Sequence, residues 1–426
     1  MIQELVVLLD NREAGRVRKA GGSRLSFRYS DEWRSAPAAY PISLSMPLTA
    51  AEHGHGRIEP FLWGLLPDNE RILEHWGSRF HVSTKNAFGL IASVGEDCAG
   101  AIQFLRPGRV EGMLKRRPSE VGWLDESGVA QRLRSLRSDP SAWRIRGDAG
   151  QFSLAGAQAK TALLLENGKW GVPSGRLPTT HILKPPIPEF AGHVENEHFC
   201  LLLARSLGLP VPKTEVMRFE DQDAIVIERY DRIRVHGALK RVHQEDMCQA
   251  LGLSPTKKYE NAGGPGVRQI LGILRASSRD SSQDIQNFLD SLVFNWLIGG
   301  TDAHAKNYAV LLGAAGAVRL APFYDIASVL PYKHVDPLKV KLAMKIGGSY
   351  RLRDVGLRHW KKLAAESHLD GEEIVLRARN LAQALPDHTA DIRKKVATAR
   401  LVHPIIDRLN KVLIERSRQC LRLLRN

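Results

Sequence analysis

The chain has 426 residues, 43% of them hydrophobic and 25% charged, which is typical of a globular protein with two or three domains. No apolar run approaches the ~20 residues of a membrane helix and the N-terminus lacks the basic start of a signal peptide, so we expect a cytoplasmic protein with no membrane partner. The formal net charge of +15 favours a polyanionic partner such as nucleic acid, a nucleotide or an acidic protein.

The four cysteines are far apart in the sequence and form no CxxC pair, which argues against a zinc ribbon or a disulfide framework. Their mostly apolar surroundings instead predict buried, reduced thiols. These residues are Cys98, Cys200, Cys248 and Cys420.

Residues 1–145 contain short strand-like and helix-like stretches without an obvious catalytic constellation, and they predict an α/β accessory domain. Within this range, Pro60 to Trp76 predicts a helical segment with a break at Pro67. Residues 106–117 are basic and interrupted by glycine and proline, which indicates a linker or an exposed loop.

Residues 146–230 hold the first candidates for chemistry. The small-residue loop Phe152–Lys160 leads into a strand-like run, and Asn167-Gly168 then indicates a hairpin turn. The loop lacks both the GK[ST] ending and the following helix of a P-loop, so it is either a tight turn or a place where backbone N–H groups approach phosphate. The strand Thr179–Lys184 ends in a lysine, which is either an exposed strand-end residue or the phosphate-neutralising ammonium of a kinase.

A helix is predicted over Val194–Leu207, with Glu195 and Glu197 in its first turn. Either carboxylate could pair with Lys184 as the helix glutamate of a kinase does. Because the helix dipole also explains acidic residues in a first turn, the choice between them stays open.

The strand-like run Ala224–Asp231 turns polar at its end, as a hinge between two lobes would. Its backbone could then bond an adenine edge while Tyr230 packs on the ring, although a plain sheet strand is the alternative. From Arg241 onward the pattern is mainly helical, with helices predicted at 243–252, 266–275, 285–298, 360–367, 371–385 and 402–424. The last of these has a basic outer face.

The polar loop Gly299–Asn307 follows an apolar helical run. Asp302 and Asn307 have four residues between them, the spacing of a kinase catalytic loop, in which the aspartate receives the substrate hydroxyl proton and the asparagine holds a metal. Asp325, farther along, offers the second carboxylate that phosphoryl transfer needs for Mg²⁺. Each residue taken singly also fits a turn or a helix cap. Their order along the chain, however, is that of a two-lobed phosphotransferase.

Several stretches carry a closer likeness: Ser153–Thr161, Thr180–Lys184, Glu195-Asn196-Glu197 with Phe199, Glu228–Arg232, Gln244-Glu245-Asp246, Gly263-Gly264-Pro265-Gly266, Thr301–Asn307 and Pro322–Asp325. In these stretches, and in Leu65–Asp68 and Gly95–Leu105, the chain resembles the HipA family of bacterial toxin kinases from type II toxin–antitoxin systems. The likeness covers nearly the whole chain.

The resemblance implies an α+β, two-lobed kinase-like fold. The expected parts are an α/β accessory domain over 1–145, a nucleotide-binding N-lobe over 146–230 and an all-helical catalytic C-lobe over 231–426. It also implies a serine/threonine protein kinase that uses ATP and Mg²⁺.

The site residues follow from the same resemblance. Asp302 would be the catalytic base, Asn307 and Asp325 the Mg²⁺ ligands, and Ser153 the autophosphorylation site, where a phosphate would repel the phosphates of ATP and inactivate the kinase. The ATP-binding residues would be Ala155, Gly156, Ala157, Gln158, Ala159, Lys160, Lys184, Glu228, Arg229, Tyr230, His304, Asn307, Tyr324 and Asp325.

The family further implies an aminoacyl-tRNA synthetase as substrate, with the glutamyl enzyme expected first. Its phosphorylation would block translation and cause growth arrest and persistence. A HipB-like helix-turn-helix antitoxin would neutralise the kinase and repress the operon with it, the basic surface touching operator DNA mainly at phosphates. The alternatives are a catalytically silent DNA-associated co-repressor module and a small-molecule phosphotransferase.

Overall fold

The computed structural model describes residues 3–21, 24–115, 121–139, 141–142, 153, 155–156, 158–174 and 177–425. The chain forms two compact units, each assembled from separate stretches of sequence. The first unit comprises Met1–Pro185, Met217–Pro255 and Val310–Val318, and the second comprises Pro186–Val216, Thr256–Ala309 and Arg319–Asn426. The predicted domain division at residues 145 and 230 stays a prediction.

The first unit begins with an antiparallel sheet and the helices that follow its strands. The strands are β1 (Glu4–Leu9), β2 (Arg12–Lys19), β3 (Leu25–Tyr29), β4 (Glu52–Gly54) and β5 (Gln103–Leu105), in the order β4-β3-β2-β1-β5. The helices are α1 (Asp31–Ser35), α2 (His55–Gly64), α3 (Glu70–Phe80), α4 (Ala87–Val94) and α5 (Pro107–Lys115). The expected break at Pro67 is confirmed, because α2 ends before it and α3 begins after it.

The interpretation of residues 106–117 as a linker is wrong, since 107–115 form α5. Although glycine and proline interrupt the segment, Val110, Met113 and Leu114 recur at helical spacing and form an apolar face. This face packs against Val6, Leu8 and Leu105 of the first sheet.

A second sheet follows, with the strands β6 (Val121–Leu124), β7 (Thr161–Glu166), β8 (Lys169–Pro173), β9 (His181–Lys184), β10 (Thr214–Phe219) and β11 (Gln222–Glu228), in the order β10-β11-β9-β7-β8-β6. Helix α6 (Glu126–Ser138) packs Val129 and Leu133 against Leu163, Leu183 and Val226 of this sheet. Asn167 and Gly168 join β7 to β8 and both have positive φ, as a two-residue hairpin turn requires. Helix α7 (His193–Ser206) belongs to the second unit.

The helix predicted at 243–252 is largely wrong. The chain instead forms the hairpin β12 (Arg232–Val235) and β13 (Ala238–Arg241), then β14 (His243–Asp246) and only a single turn of helix, α8 (Met247–Ala250). Asp246 caps that turn, because its side chain accepts the backbone N–H of Gln249. Strand β14 pairs in a sheet of order β14-β15-β16 with β15 (Ala309–Gly313) and β16 (Ala317–Leu320).

The second unit is mainly helical. Its helices are α7, α9 (Val267–Ser277), α10 (Ser281–Ile298), α11 (Leu357–Glu366), α12 (Gly371–Thr398) and α13 (Pro404–Leu423), and the hairpin β17 (Lys341–Ile346) and β18 (Ser349–Arg351) lies between α10 and α11 in the chain. Trp296 and Trp360 meet edge to face in its core, with ring centroids 5.6 Å apart. The fold is α+β as expected, but the range 231–426 is not all helical, because it contains β12 to β18.

All four cysteines are buried and none of them is in a disulfide, as predicted. Burial raises the pKa of Cys98, Cys200 and Cys420 to about 12, so these thiols are neutral at pH 7. Among the helices of the described residues, none has the length and apolarity needed to cross a membrane.

Glu245 on β14 makes the stability of the first unit depend on pH. Its side chain is 1% exposed and accepts the Leu44 N–H at 2.7 Å, and burial raises its pKa to about 8. The folded protein therefore holds this proton more tightly than the unfolded chain, whose reference pKa is 4.5. The stability from the protonated group is complete below that value and declines as the pH rises towards 8, by at most about 1.4 kcal/mol per pH unit.

We expect Glu245→Gln to remove this decline, because the amide keeps an acceptor for Leu44 and cannot ionise. Urea unfolding of both proteins at pH 5 and pH 8 measures the difference. The gain in stability of the variant relative to wild type should be much larger at pH 8 than at pH 5. Glu52→Gln, at an exposed glutamate, is the control and should follow wild type at both pH values. Identical pH dependence of wild type and Glu245→Gln would contradict the prediction.

Candidate active site

The loop before β7 folds back on itself beside the end of β9. Lys160 Nζ donates to the carbonyl of Ala155 at 2.8 Å, and Gln158 Nε2 donates to the carbonyl of Pro185 at 3.3 Å. Gly156 has φ +108, and a Cβ there would lie 2.6 Å from Lys160 Nζ, so glycine is required at this position. The structure thus places the predicted phosphate loop next to the strand that carries Lys184. Ala157 lies outside the described residues.

Ser153 is 1% exposed and is held at both its hydroxyl and its backbone. Its Oγ donates to the carbonyl of Leu65 at 2.7 Å, and its N–H donates to the carbonyl of Asp97 at 2.8 Å. A second bond joins the same two segments, because the N–H of Asp68, shortly after Leu65, donates to the carbonyl of Gly156, shortly after Ser153. The predicted phosphorylation site is therefore packed against the N-terminal part of the first unit.

Lys184 ends β9 and is 4% exposed. Strand β9 lies between β7 and β11, with Lys184 opposite Ile225 and His181 opposite Glu228. Burial lowers the pKa of His181, although the Glu228 charge acts in the opposite direction. The central strand thus ends in a lysine, as the sequence predicts.

The predicted adenine-binding residues at the end of β11 differ in exposure and in hydrogen bonding. Glu228 is exposed, whereas the guanidinium of Arg229 is buried in an ion pair and its backbone N–H donates to the carbonyl of Thr180. The Tyr230 hydroxyl donates to Gln244 Oε1. The side chain and the backbone N–H of Arg229 are thus engaged within the protein, and its carbonyl accepts the Arg232 N–H at 3.2 Å.

Arg229 belongs to a buried ion network that sequence reasoning missed. Asp97 Oδ1 accepts from Arg232 at 3.1 Å and from Arg241 at 3.2 Å, and Asp97 Oδ2 accepts from Thr179 Oγ1 at 3.1 Å. A second carboxylate, that of Asp231, forms ion pairs with Arg229 at 2.8 Å and with Arg232 at 2.9 Å. The network ties the turn after α4 to the end of β11.

The catalytic-loop candidates lie in the second unit. Helix α10 ends at Gly299, whose φ of +66 turns the chain out of the helix. The carbonyl of Asp302 then accepts the His304 N–H at 2.8 Å and Asn307 Nδ2 at 2.6 Å. The loop is therefore closed by the asparagine itself. The Asp302 side chain remains 66% exposed, as a base that must meet a substrate requires.

His304 is buried beneath the Asp302 carboxylate. Its Nε2 lies 3.8 Å from Asp302 Oδ1, and its ring meets the Tyr259 ring edge to face at 4.9 Å. The Tyr259 hydroxyl donates to Asp302 Oδ1 at 2.8 Å. Tyr259 is a second residue that sequence reasoning missed. The signal available was its position just before the Gly263–Gly266 motif.

Two oxygen ligands suited to Mg²⁺ are present in the same unit. The Tyr324 hydroxyl donates to the carbonyl of Lys306 at 2.7 Å, which brings the segment before Asp325 onto the loop that carries Asn307. Because the Asn307 amide nitrogen is used by Asp302, its oxygen is the atom left for a cation. Asp325 has φ +54, in the left-handed region that aspartate tolerates better than most non-glycine residues.

The oxygen ligands fit Mg²⁺, which takes one or two protein side chains and completes its shell with phosphates and water. Over the residues described here, no group of three or more His, Cys, Asp or Glu side chains is arranged to hold a metal. An ion at this position would thus depend on the nucleotide phosphates for the rest of its ligands.

The two glutamates near the start of α7 differ in burial, and only Glu195 lies in the first turn. Glu197 is buried and Glu195 is half-buried, while Asn196 between them bonds both the N–H and the carbonyl of Ser328. His193 Nε2 lies 4.0 Å from the Glu197 carboxylate. Which glutamate pairs with Lys184 stays open.

Comparison with known proteins identifies the family. The HipA-like C-terminal domain matches residues 152–391, and the HipA N-terminal domain matches residues 5–105. The chain belongs to the HipA family. The protein Y4mE of Sinorhizobium fredii is 34% identical over 397 residues, which cover 92% of each chain.

Two relatives from Shewanella oneidensis extend the comparison. The serine/threonine-protein kinase toxin HipA is 32% identical over 345 residues, covering 78% of this chain and 75% of the relative. A solved complex of HipA, HipB and operator DNA contains a chain with a TM-score of 0.83 and 25% identity, and the match covers 98% of each chain. The enzyme class of this HipA-family chain is serine/threonine-protein kinase.

Proposed function

We propose that this kinase is the toxin of a type II toxin–antitoxin system, with Asp302 as its catalytic base and ATP with Mg²⁺ as its cofactors. The observation that carries the assignment is the closed loop in which Asn307 bonds the Asp302 carbonyl and leaves the Asp302 carboxylate exposed. A base must reach the hydroxyl proton that it removes, and an exposed carboxylate at this spacing from an asparagine suits that role.

The other residues take roles that match their surroundings. Lys184 and the backbone of the loop over residues 155–160 bind the nucleotide phosphates, and the end of β11 with Tyr230 binds the adenine. Asn307 and Asp325 hold Mg²⁺, which neutralises charge on the phosphates. His304 and Tyr324 support the catalytic loop from beneath.

Ser153 serves as a self-inactivation switch. Because its hydroxyl is buried and bonded to Leu65, it must leave its pocket before it can accept a phosphoryl group. A phosphoserine carries about −1.5 to −2 charges, and burying them where the Ser153 hydroxyl now lies would cost far more than burying the hydroxyl. The phosphate loop attached to Ser153 would then be held away from ATP.

Relatives suggest the partners. The Shewanella structure contains HipA with HipB and operator DNA, and the net charge of +15 here suits contact with DNA phosphates. We propose a HipB-like helix-turn-helix antitoxin that neutralises the kinase and binds the operator with it. The substrate we propose is an aminoacyl-tRNA synthetase, the glutamyl enzyme first, whose phosphorylation would stop translation and growth.

The test is to incubate the purified chain with Mg²⁺ and γ-labelled ATP and to locate the label by mass spectrometry. We expect label at Ser153, and none in Ser153→Ala. Ser174→Ala, at another buried serine of the first unit, is the matched control and should be labelled as wild type is. Label that persists in Ser153→Ala would contradict the switch, and an absence of transfer from wild type would contradict the kinase assignment.

Ser153→Ala is also the variant for finding the substrate, because it cannot inactivate itself. Adding glutamyl-tRNA synthetase with its tRNA should give a labelled synthetase. If only other synthetases are labelled, the enzyme class stands and the glutamyl assignment falls.

A catalytically silent DNA-associated co-repressor is the second candidate, favoured by the operator DNA in the Shewanella structure. It predicts operator binding with an antitoxin but no phosphoryl transfer. A small-molecule phosphotransferase is disfavoured, because the HipA N-terminal domain matched over 5–105 has no place in that class.

A further inference from the structure

We propose that Tyr259, held by the glycine-rich segment Gly263–Gly266, is the residue that positions the catalytic base. The inference rests on the proposed role of Asp302. Nothing in the proposed function uses either Tyr259 or the glycine motif. Both lie in the second compact unit, together with the loop that carries Asp302.

The first step is the hydrogen bond from the Tyr259 hydroxyl to Asp302 Oδ1, at 2.8 Å. An exposed aspartate side chain normally moves among several rotamers. A donor fixed on one oxygen removes that freedom and leaves the second oxygen, Oδ2, to accept the substrate hydroxyl proton. In the part of the chain that the structure describes, no hydrogen bond to Asp302 Oδ2 is recorded.

The segment before Tyr259 and the loop after Asp302 are also joined through their main chains. The Lys258 carbonyl accepts the Ala305 N–H at 3.1 Å, so the backbone before Tyr259 is bonded to the backbone after His304. The Tyr259 ring also meets the His304 ring edge to face. Three contacts therefore join Tyr259 and the residue before it to the catalytic loop. The hydroxyl bonds the Asp302 carboxylate, the ring meets the His304 ring, and the Lys258 carbonyl bonds the main chain.

The third step explains the glycines. The carbonyl of Tyr259 accepts the N–H groups of Ala262 and Gly264, both at 3.0 Å. A Cβ at Gly264 would lie 1.9 Å from the carbonyl oxygen of Lys257 and 2.7 Å from that of Tyr259. Any side chain there would push back the backbone that carries the phenol.

A neighbouring contact fixes the far side of the same turn. Glu260 accepts the Lys345 N–H from β17 at 2.6 Å, and a Cβ at Gly266 would lie 2.7 Å from the Glu260 carboxylate. The Gly263–Gly266 segment thus shapes a turn whose purpose is to hold one hydroxyl on one carboxylate oxygen. Tyr259 is a positioning residue, because it acts through Asp302 and takes no proton itself.

The test is the rate at which the chain acquires label from γ-labelled ATP at Ser153. It is measured in single turnover at increasing ATP concentration. Tyr259→Phe keeps the ring against His304 and removes only the hydroxyl. We expect its maximal rate to fall about 10-fold, with the ATP concentration for half-maximal rate unchanged. Tyr332→Phe removes a hydroxyl that bonds Asn196, outside the site, and should keep the wild-type rate.

Gly264→Ala tests the support of the phenol and should reproduce the kinetics of Tyr259→Phe. Gly272→Ala is its matched control, because a Cβ there meets nothing within 4 Å. The deciding comparison is the pair Asp302→Asn and Tyr259→Phe/Asp302→Asn. If Tyr259 acts through the base, the second substitution adds no further loss.

The outcomes are distinguishable. A wild-type maximal rate in Tyr259→Phe, or an equal additional loss in the Asp302→Asn background, would overturn the positioning role and leave the kinase assignment intact. Transfer that does not depend on Asp302 would overturn the assigned base, and the positioning role with it.

Discussion

Asp302→Asn should lower the rate of phosphoryl transfer by about 10²- to 10⁴-fold, the usual contribution of a general base. The asparagine has nearly the same shape and keeps an oxygen that can accept the Tyr259 hydroxyl. The bonds that close the loop run from His304 and Asn307 to the main-chain carbonyl at this position, so they are untouched. The substitution therefore removes proton acceptance while it preserves the loop.

Two measurements separate this chemical loss from a structural one. Calorimetry should show that Asp302→Asn binds MgATP within about twofold of wild type, because the residue has no assigned contact with the nucleotide. Asp391→Asn, at an exposed aspartate of α12, is the control and should transfer label at the wild-type rate. A transfer rate in Asp302→Asn close to that of wild type would show that another group is the base.

The parts of the fold that the sequence predicts well are those governed by local pattern. The helices over 267–277 and 281–298 and the hairpin turn at Asn167-Gly168 follow from apolar spacing and from left-handed turn residues. The failures occur where distant contacts decide. Residues 243–246 form a strand because they pair with β15, which lies far along the chain.

The candidate site shows the same division. Asp302 and Asn307 are visible from their spacing, because both lie in one short loop. Tyr259 and Asp97 have no such signal. Each acts on partners tens of residues or more away, and only the folded chain shows that the Tyr259 hydroxyl bonds Asp302 or that Asp97 bonds Arg232. The buried side chain of Arg229 likewise makes long-range contacts that its place in the hinge motif does not reveal, because it donates to Thr179 and to the carbonyl of Cys98.

Asp97→Asn should destabilise the first unit by roughly 3–5 kcal/mol, because it leaves buried guanidinium groups without their counter-charge. Burial opposes ionisation of this carboxyl, but Arg241, Arg232 and Arg229 and a hydrogen bond from Thr179 outweigh it and lower its pKa. In Asp97→Asn, Arg229 and Arg232 would keep their ion pairs with Asp231, while Arg241 would lose its ion pair with Asp97. Urea unfolding followed by circular dichroism measures the loss.

The acid limb of the stability curve gives an independent check. A carboxyl with a lowered pKa stabilises the fold above the unfolded value of 3.8, and this contribution is lost as the pH falls through the lower folded value. Asp97→Asn should therefore lose stability mainly above pH 4 and approach wild type in stronger acid. Asp221→Asn, whose partner Arg134 is exposed, is the control and should leave the unfolding midpoint unchanged.

The same substitution should also affect Ser153, the proposed phosphorylation site. The Asp97 carbonyl accepts the Ser153 N–H, so a turn loosened by loss of the carboxylate releases one of the two bonds that bury Ser153. In native conditions a protease should then cut near Ser153 faster in Asp97→Asn than in wild type, while Asp221→Asn should be cut at the wild-type rate. Equal cleavage in all three proteins would show that the network stabilises the unit without holding the loop, because the Ser153 hydroxyl bond to Leu65 would then suffice alone.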